Sequence, residues 1–287
     1  MYEARCLQDD EKLIVGIDVG ASTTKGVIVK DSKIMYQHSV ETLDPESSAV
    51  KVLRQLISKI EDKKNIGLIA ASGGGSRKIG DDLLGIPVKK VNEIQAIGLG
   101  GLVLARKNKG LIVSAGTGTA MVAAYDSGKR IKHVGGTGVG GGTVLGLAKG
   151  LLGVHDFAVL EAMALEGNTN HVDLTVADIV GGPVGIVPGK ATASNFGRID
   201  GESSREDVAA GIFNLVSQVI GVVSAMAAKD YSLEENVVLV GRLVKSSLVS
   251  ENIRGTTELF GVNSCVPRNC EYCVAVGAAA HLFALKQ

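Results

Sequence analysis

Apolar positions in this chain gather into short solid runs, and most of the runs stop at glycine. The first, KLIVGIDVG (12–20), predicts a buried strand entering a turn. TKGVIVKDSKIMYQHSV (24–40) continues as two strand-like segments joined by the polar KDSK, which reads as a hairpin. The chain is therefore expected to open with antiparallel strands. The period then lengthens: SSAVKVLRQLISKIEDKK (47–64) has helical spacing and a serine start. IGLIAASGGG (66–75) is another strand running into glycine. EIQAIGLGGLVLARK (93–107) suits a helix packed tightly through its glycines.

A second block repeats the first. GIDVGASTTKGVIVKDSKI (16–34) and VSAGTGTAMVAAYDSGKRI (113–131) both run strand, small-residue turn, strand, polar turn. They share little residue identity, so the duplication is one of architecture. Helices are expected over TVLGLAKGLLG (143–153), DFAVLEAMALEG (156–167) and residues 205–230, then a strand at NVVLVG (236–241) and a closing helix at VAVGAAAHLFALK (274–286). The expected class is α/β, with two lobes of mixed sheet flanked by helices and a cleft between them. The division is placed near residue 109, giving an N-terminal lobe of 13–108 and a C-terminal lobe of 109–287.

Composition narrows the function. The 287 residues balance 30 basic against 30 acidic side chains, and aromatics make up only 3%. That disfavours a polyanion partner and leaves too few rings for base stacking. No apolar run is read as long enough to span a membrane. The lead-in MYEARCLQDDEK is polar and mixed in charge, unlike a signal peptide. A cytoplasmic chain is expected. Cys6, Cys265, Cys270 and Cys273 do not make a disulfide framework. The CxxC at 270–273 lacks further ligands for zinc or an iron–sulfur cluster, so these are read as buried or incidental thiols, with Cys273 facing the core.

Three strand-to-glycine turns carry the candidate chemistry: Gly16–Lys25, Ser114–Thr119 and Val240–Leu243. Glycine lets backbone N–H groups face an anion with no Cβ in the way. Ser22, Thr23, Thr24, Thr117 and Thr119 add hydroxyls, Lys25 offsets phosphate charge, and Asp18 is placed to hold Mg²⁺ by way of water. The chain has neither GxxxxGK[ST] nor a GxGxxG that opens a helix. A lone turn of this kind would be an ordinary hairpin; three in this order favour a phosphate cradle. KHVGGTGVGGGTVLG (132–146) has glycine at seven of fifteen positions. It is expected to bring backbone close to nucleotide and substrate, with a helix from Thr143 starting near the anion. The alternative is a collapsed loop whose glycines serve close packing.

The segments GIDVGASTTKGVIV, SAGTGTAMV, VGGTGVGGGTVLGL, VDLTVADIVGG and ATASNFGRI together resemble the type II (eukaryote-like) pantothenate kinases, of the actin, sugar kinase and Hsp70 ATPase superfamily. The resemblance runs from about residue 13 to 284. It implies a homodimer that uses ATP and Mg²⁺ to phosphorylate the primary hydroxyl of pantothenate, the first step of coenzyme A synthesis, with coenzyme A or its thioesters as a possible regulator. It implies Glu93 as the catalytic base; by residue type alone Glu93 would be an ordinary helix N-terminal acid. It implies nucleotide and metal contacts at Asp18, Gly20, Ser22, Thr23, Lys25, Gly116, Thr117, Gly118, Thr119, Gly140, Gly141 and Gly241. Substrate contacts are implied at Arg130, His133, Gly136 and Thr137. SNFGRI (194–199) would lie near the dimer or substrate region and GRLVKSSLV (241–249) by the adenosine. The family places arginine directly before VGG, whereas this chain has His133 there and Arg130 three positions earlier. That departure keeps a kinase of pantetheine or another small hydroxyl compound open. An ATPase activator of 2-hydroxyacyl-CoA dehydratases would need mid-chain cysteines, and none occurs between 6 and 265. A nucleotide or acyl-CoA sensor is the non-catalytic alternative, against which Asp18, Lys25 and Glu93 argue.

Overall fold

A computed structural model describes residues 13–30, 33–61 and 65–284. The lead-in with Cys6 and the tip of the KDSK turn lie outside the described residues. The chain divides into two compact units, one of residues up to Ile112, Val122–His133 and from Pro267 onward, the other of Val113–Met121 and Val134–Val266.

The first unit is built on a six-stranded sheet. β1 (Leu13–Val19), β2 (Thr23–Lys30) and β3 (Lys33–Glu41) form the expected antiparallel meander. β4 (Ile66–Ser72) lies parallel to β1. β5 (Asp82–Leu83) and β6 (Ile86–Lys90) complete the order β3-β2-β1-β4-β6-β5. β1 is buried along nearly its whole length, because helices cover both faces of the sheet. On one face α1 (Pro45–Ile57) packs Val52, Leu53 and Leu56 against Val15, Ile17 and Ile28. α1 starts two residues before the expected serine, since Asp44 accepts from Ser47 N at 2.9 Å and Pro45 occupies the first turn. It also stops at Ile57, well short of residue 64.

The other face takes α2 (Glu93–Ala105) and α8 (Cys273–Ala284). These helices cross at backbone contact. A Cβ on Gly100 would overlap the Cys273 carbonyl, one on Gly277 the Ala96 carbonyl, and one on Gly16 of β1 the Ala275 carbonyl. The glycines of α2 are used as the sequence suggested. Cys273 is enclosed here, 1% exposed, its Sγ donating to Ile97 O at 3.6 Å. Burial pushes this thiol pKa well up, so it is inert. The expected lobes were continuous in sequence, but α8 belongs with the first unit because β1 and α2 offer the glycine-lined surface that receives it.

The second unit includes parts of β7 (Gly110–Ala115), β8 (Thr119–Tyr125) and β9 (Arg130–Thr137), with β12 (Val237–Val240) and β13 (Ser264–Cys265), in a five-stranded sheet of order β13-β12-β7-β8-β9. Its helices are α3 (Gly141–Leu152), α4 (Phe157–Glu166), α5 (Val176–Val180), α6 (Arg205–Asp230) and α7 (Ser247–Leu259); a two-stranded ribbon pairs β10 (Leu174–Thr175) with β11 (Thr192–Ser194). α6 is the spine of this unit, packing α3, α4 and α7. Ser204 and Asp207 cap it reciprocally. Phe213 is fully buried and meets Phe157 edge to face at 5.5 Å. Contrary to the expectation that no apolar run is long enough to span a membrane, α6 could cross a bilayer by length and composition alone. Most of its apolar stretch is enclosed by the unit, so it is a core helix.

Candidate functional site

The candidate chemistry of the first unit gathers around Asp18. It stands at the end of β1 and is only 6% exposed. Its antiparallel partner on β2 is Lys25, whose Nζ lies 3.4 Å from Asp18 Oδ2. Burial raises the carboxyl's pKa and the lysine charge opposes that rise. Gly20 closes the following turn by donating to Thr23 O at 3.2 Å; Ser22 is exposed and Thr23 buried. Thr24 turns away and bonds Thr42 Oγ1 at 2.8 Å.

Glu93 opens α2. The capping work falls to Asn92, whose Oδ1 accepts from Ile94 N at 2.9 Å and Gln95 N at 3.3 Å. The Glu93 carboxylate therefore forms no hydrogen bond or ion pair among the described residues. It reaches solvent, yet crowding by protein atoms raises its pKa, and the negative charge of Asp18 raises it further. Glu93 and Asp18 thus lie in one electrostatic field. A carboxylate with free oxygens and a raised pKa suits proton abstraction.

A fourth glycine turn, at the end of β4, also belongs here. Gly73 follows β4 with φ +84, and a Cβ on it would sit 2.5 Å from Asp18 Oδ1. No L side chain fits that position. Lys90 pins the segment beyond by donating from Nζ to the carbonyls of Ser76, Ile79 and Gly80. The signal was in the letters SGGGS at 72–76.

In the second unit the glycine run has a partner, and the partner is protein. The β7–β8 turn is closed by Gly116 N donating to Gly118 O at 2.8 Å. Residues 136–142 wrap this turn. Gly141 N donates to Gly116 O at 2.8 Å, Gly142 N to Thr117 O at 2.9 Å, and Thr119 Oγ1 to Val139 O at 2.8 Å. A Cβ on Gly136 would overlap Thr119 O, and one on Gly140 would lie 2.6 Å from Thr117 O. α3 begins at Gly141 instead of Thr143, and its first N–H groups are engaged by turn carbonyls instead of facing outward. The close-packing alternative therefore accounts for Gly136, Gly140 and Gly141 in this structure. Thr137 supports the same loop, its Oγ1 accepting from Val139 N at 3.2 Å. Gly241, with φ +101, lies against Ala115 O, so the third turn joins the second within this unit.

Arg130 is exposed and already occupied. Its Nε donates to Asp126 Oδ2 at 2.6 Å and its guanidinium lies over the Tyr125 ring at 4.9 Å. His133, three residues on, is exposed on β9.

The ATASNFGRI stretch acquires a structural part. Asp173, 2% exposed, accepts from Phe196 N at 2.7 Å and from Asn214 Nδ2 at 2.7 Å. Thr192 Oγ1 accepts from Gln218 Nε2 at 2.9 Å, and Asn195 donates to Gln218 Oε1 at 3.2 Å. The polar side chains of α6 thus hold the β10–β11 ribbon.

Comparison with known proteins follows this geometry. The family model Fumble matches residues 109–279. A type II pantothenate kinase of Bacillus cereus (strain G9842) is 27% identical over 276 residues, covering 93% of this chain and 97% of that protein. One from Staphylococcus aureus (strain USA300) is 26% identical over 273 residues, covering 92% and 97%. Among solved structures, the activator of 2-hydroxyisocaproyl-CoA dehydratase from Clostridium difficile, with bound ADPNP, superposes with a TM-score of 0.70 at 19% identity, covering 95% of both chains. A ROK family glucokinase from Streptomyces griseus, with glucose and AMPPNP, gives 0.61 at 13% identity, covering 94% of this chain and 98% of that one. The fold is the two-lobed actin-like ATPase fold, with mixed sheets flanked by helices.

Proposed function

The chain belongs to the Fumble family, and from that membership we propose that it is an ATP-dependent kinase of the primary hydroxyl of pantothenate, acting at the first step of coenzyme A biosynthesis. Relatives named type II pantothenate kinase, matched over most of the chain, support the reading. The observation that carries it is local: a buried Asp18–Lys25 pair shares its field with Glu93, a carboxylate with no partner among the described residues.

Phosphoryl transfer is mostly positioning and charge stabilisation. Glu93 takes the proton of the substrate hydroxyl. The hydroxyl oxygen bonds the γ-phosphorus, the bond from that phosphorus to the bridging oxygen breaks, and ADP leaves. Lys25 offsets charge on the phosphates. Asp18 offers a hard oxygen ligand, and among the described residues no cluster of three or more His, Cys, Asp or Glu forms a dedicated cage. That donor set fits a Mg²⁺ reached through water and nucleotide phosphates, where the ion would supply charge neutralisation. Gly20, Ser22 and Thr23, together with Gly116, Thr117, Gly118, Thr119 and Gly241, contact the nucleotide in this reading. Gly140 and Gly141 act behind them by holding the 116–118 turn. His133, Gly136 and Thr137 face the substrate. The reading extends to a cytoplasmic homodimer, for which exposed Leu165, Ile179, Val180 and Ile186 offer apolar surface, and to regulation by coenzyme A or its thioesters.

Arg130 motivates a second reading. With its guanidinium engaged by Asp126 and Tyr125, the fixed two-pronged donor that suits a carboxylate is not presented freely. Pantetheine has no carboxylate and needs none. ADP release from Mg-ATP, measured with pantothenate, pantetheine and no acceptor, tests both. Stimulation by pantothenate is expected. Stimulation by pantetheine alone moves the substrate, and stimulation by neither overturns the assignment.

A further inference from the structure

Ser72 ends β4 fully buried, and its Oγ hydrogen-bonds no described residue. Buried hydroxyls nearly always find a partner, so an orphaned one calls for a reason. Its register gives one. Ser72 is directly opposite Asp18 in the parallel β1–β4 pair, and Lys25 is directly opposite Asp18 in the β1–β2 pair. Opposed residues on neighbouring strands point to the same face of a sheet. The Asp18 carboxylate is therefore flanked by a donor on each side and uses only the lysine. That contact, at 3.4 Å, is longer than the roughly 2.7–2.9 Å of a well-formed bond between such charged groups. The adjoining Gly73 already lies against Asp18 Oδ1. Reaching the carboxylate asks of Ser72 only a side-chain rotation, a fast event.

We propose that Ser72 is a positioning residue for Asp18, its hydroxyl donating to the carboxylate when Lys25 turns from Asp18 to an anionic phosphate. The proposal rests on the nucleotide-dependent reading above. Without a second donor, the departure of Lys25 would leave a buried carboxylate with no protein donor, held only from its solvent side. The hydroxyl is held in reserve for that state, which is why it is idle when the lysine is home.

A double-mutant cycle in ligand-free protein tests this, because Lys25→Met imitates the departure of the ammonium with no nucleotide present. Ser72→Ala alone is expected to leave the melting temperature unchanged or raise it, since it removes an orphaned hydroxyl. In the Lys25→Met background the same change is expected to lower it. An equal shift in both backgrounds overturns the proposal. Should Lys25→Met fail to fold, the thermal shift produced by saturating Mg-ATP is compared between wild type and Ser72→Ala: a smaller shift in the variant, with Ser72→Cys between the two, is expected, and equal shifts overturn it. With turnover, kcat falls about tenfold, the loss of one hydrogen bond to a charged group, while the KM of the acceptor stays within about twofold. The cycle needs no phosphoryl transfer. A protein that couples Ser72 to Lys25 but phosphorylates neither acceptor would refute the kinase reading and keep this one.

Discussion

Replacing Gly140 by alanine is the sharpest probe of what the glycine run is for. The new Cβ would lie 2.6 Å from Thr117 O, 2.7 Å from Gly118 Cα and 2.9 Å from Gly118 C. All three neighbours are backbone, so no flexible side chain can give way. Relief has to come from parting α3 and the β7–β8 turn, and overpacking of this kind costs about 1–3 kcal/mol. The parting also stretches the two bonds that join them, Gly141 N to Gly116 O at 2.8 Å and Gly142 N to Thr117 O at 2.9 Å, each contributing about 1 kcal/mol. Reduced freedom of the unfolded chain offsets about 0.4–1 kcal/mol. The net is a loss of about 2–4 kcal/mol. At roughly 2–4 °C per kcal/mol for a chain of this order of size, the melting temperature should fall by about 5–15 °C. Gly146→Ala is the control. It lies inside α3, where a Cβ meets nothing within 4 Å, so the better helix former should raise stability by about 0.8–1 kcal/mol. Thermal melts followed by circular dichroism, with urea midpoints alongside, read both. A Gly140→Ala protein melting within about 1 °C of wild type would refute the packing account and return the run to a purely ligand-facing role.

Glu93→Gln should lower kcat by about 10²–10⁴-fold with little change in the KM for ATP, as expected for loss of a general base; steady-state kinetics with an unchanged kcat would exclude that role. Because the folded Glu93 pKa is raised above the ordinary 4.5, the basic form is lost early on acidification, so the acid limb of kcat/KM should fall above pH 4.5. The same sign means that ionised Glu93 destabilises the fold at neutral pH. Glu93→Gln should therefore melt no lower than wild type at pH 7, and any gain should vanish as the pH drops below both pKa values. His133→Arg should lower the KM for pantothenate by about tenfold, the scale of one charged hydrogen bond, while leaving pantetheine unaffected; equal effects on both acceptors would remove residue 133 from carboxylate recognition. Gly277→Ala, whose Cβ overlaps the Ala96 carbonyl, should cost about 1–3 kcal/mol or more in a urea titration.

The strands and long helices were legible because period and punctuation agreed. β1, β4, β12 and α6 fall where apolar runs and their glycine or polar ends place them. α1 was misjudged at its start because Asp44 outcompeted the serines for the cap, and it also ends at Ile57, earlier than its helical spacing suggested. The placement of α8 was hidden for a different reason. Its docking depends on Gly16, Gly100 and Gly277 meeting across distant parts of the chain, and no local pattern encodes a partner. In the candidate site, Asp18 and Lys25 were visible as chemistry around a strand end, whereas Glu93 was picked out by the family resemblance and not by its residue type. The letters SGGGS marked a glycine turn at Ser72 and Gly73, but its link to Asp18 comes from a parallel register with β1 that no local pattern encodes. The glycine run was visible as an unusual need for close approach, but sequence could not tell a phosphate from a peptide carbonyl as the thing approached.

The return of α8 to the first unit sets a timetable for synthesis. Residues 134–266 form a nearly continuous stretch of the second unit, so their own contacts become available as the ribosome proceeds. The first unit has no such freedom. The faces of Gly16 and Gly100 wait for Ala275 and Cys273, which leave the exit tunnel long after they do. The roughly 170–260 residues of intervening chain raise the entropy cost of that closure only slowly, but they delay it until α8 has been made. Loss of α8 by premature termination would thus strike the strand that carries Asp18, far away in the sequence.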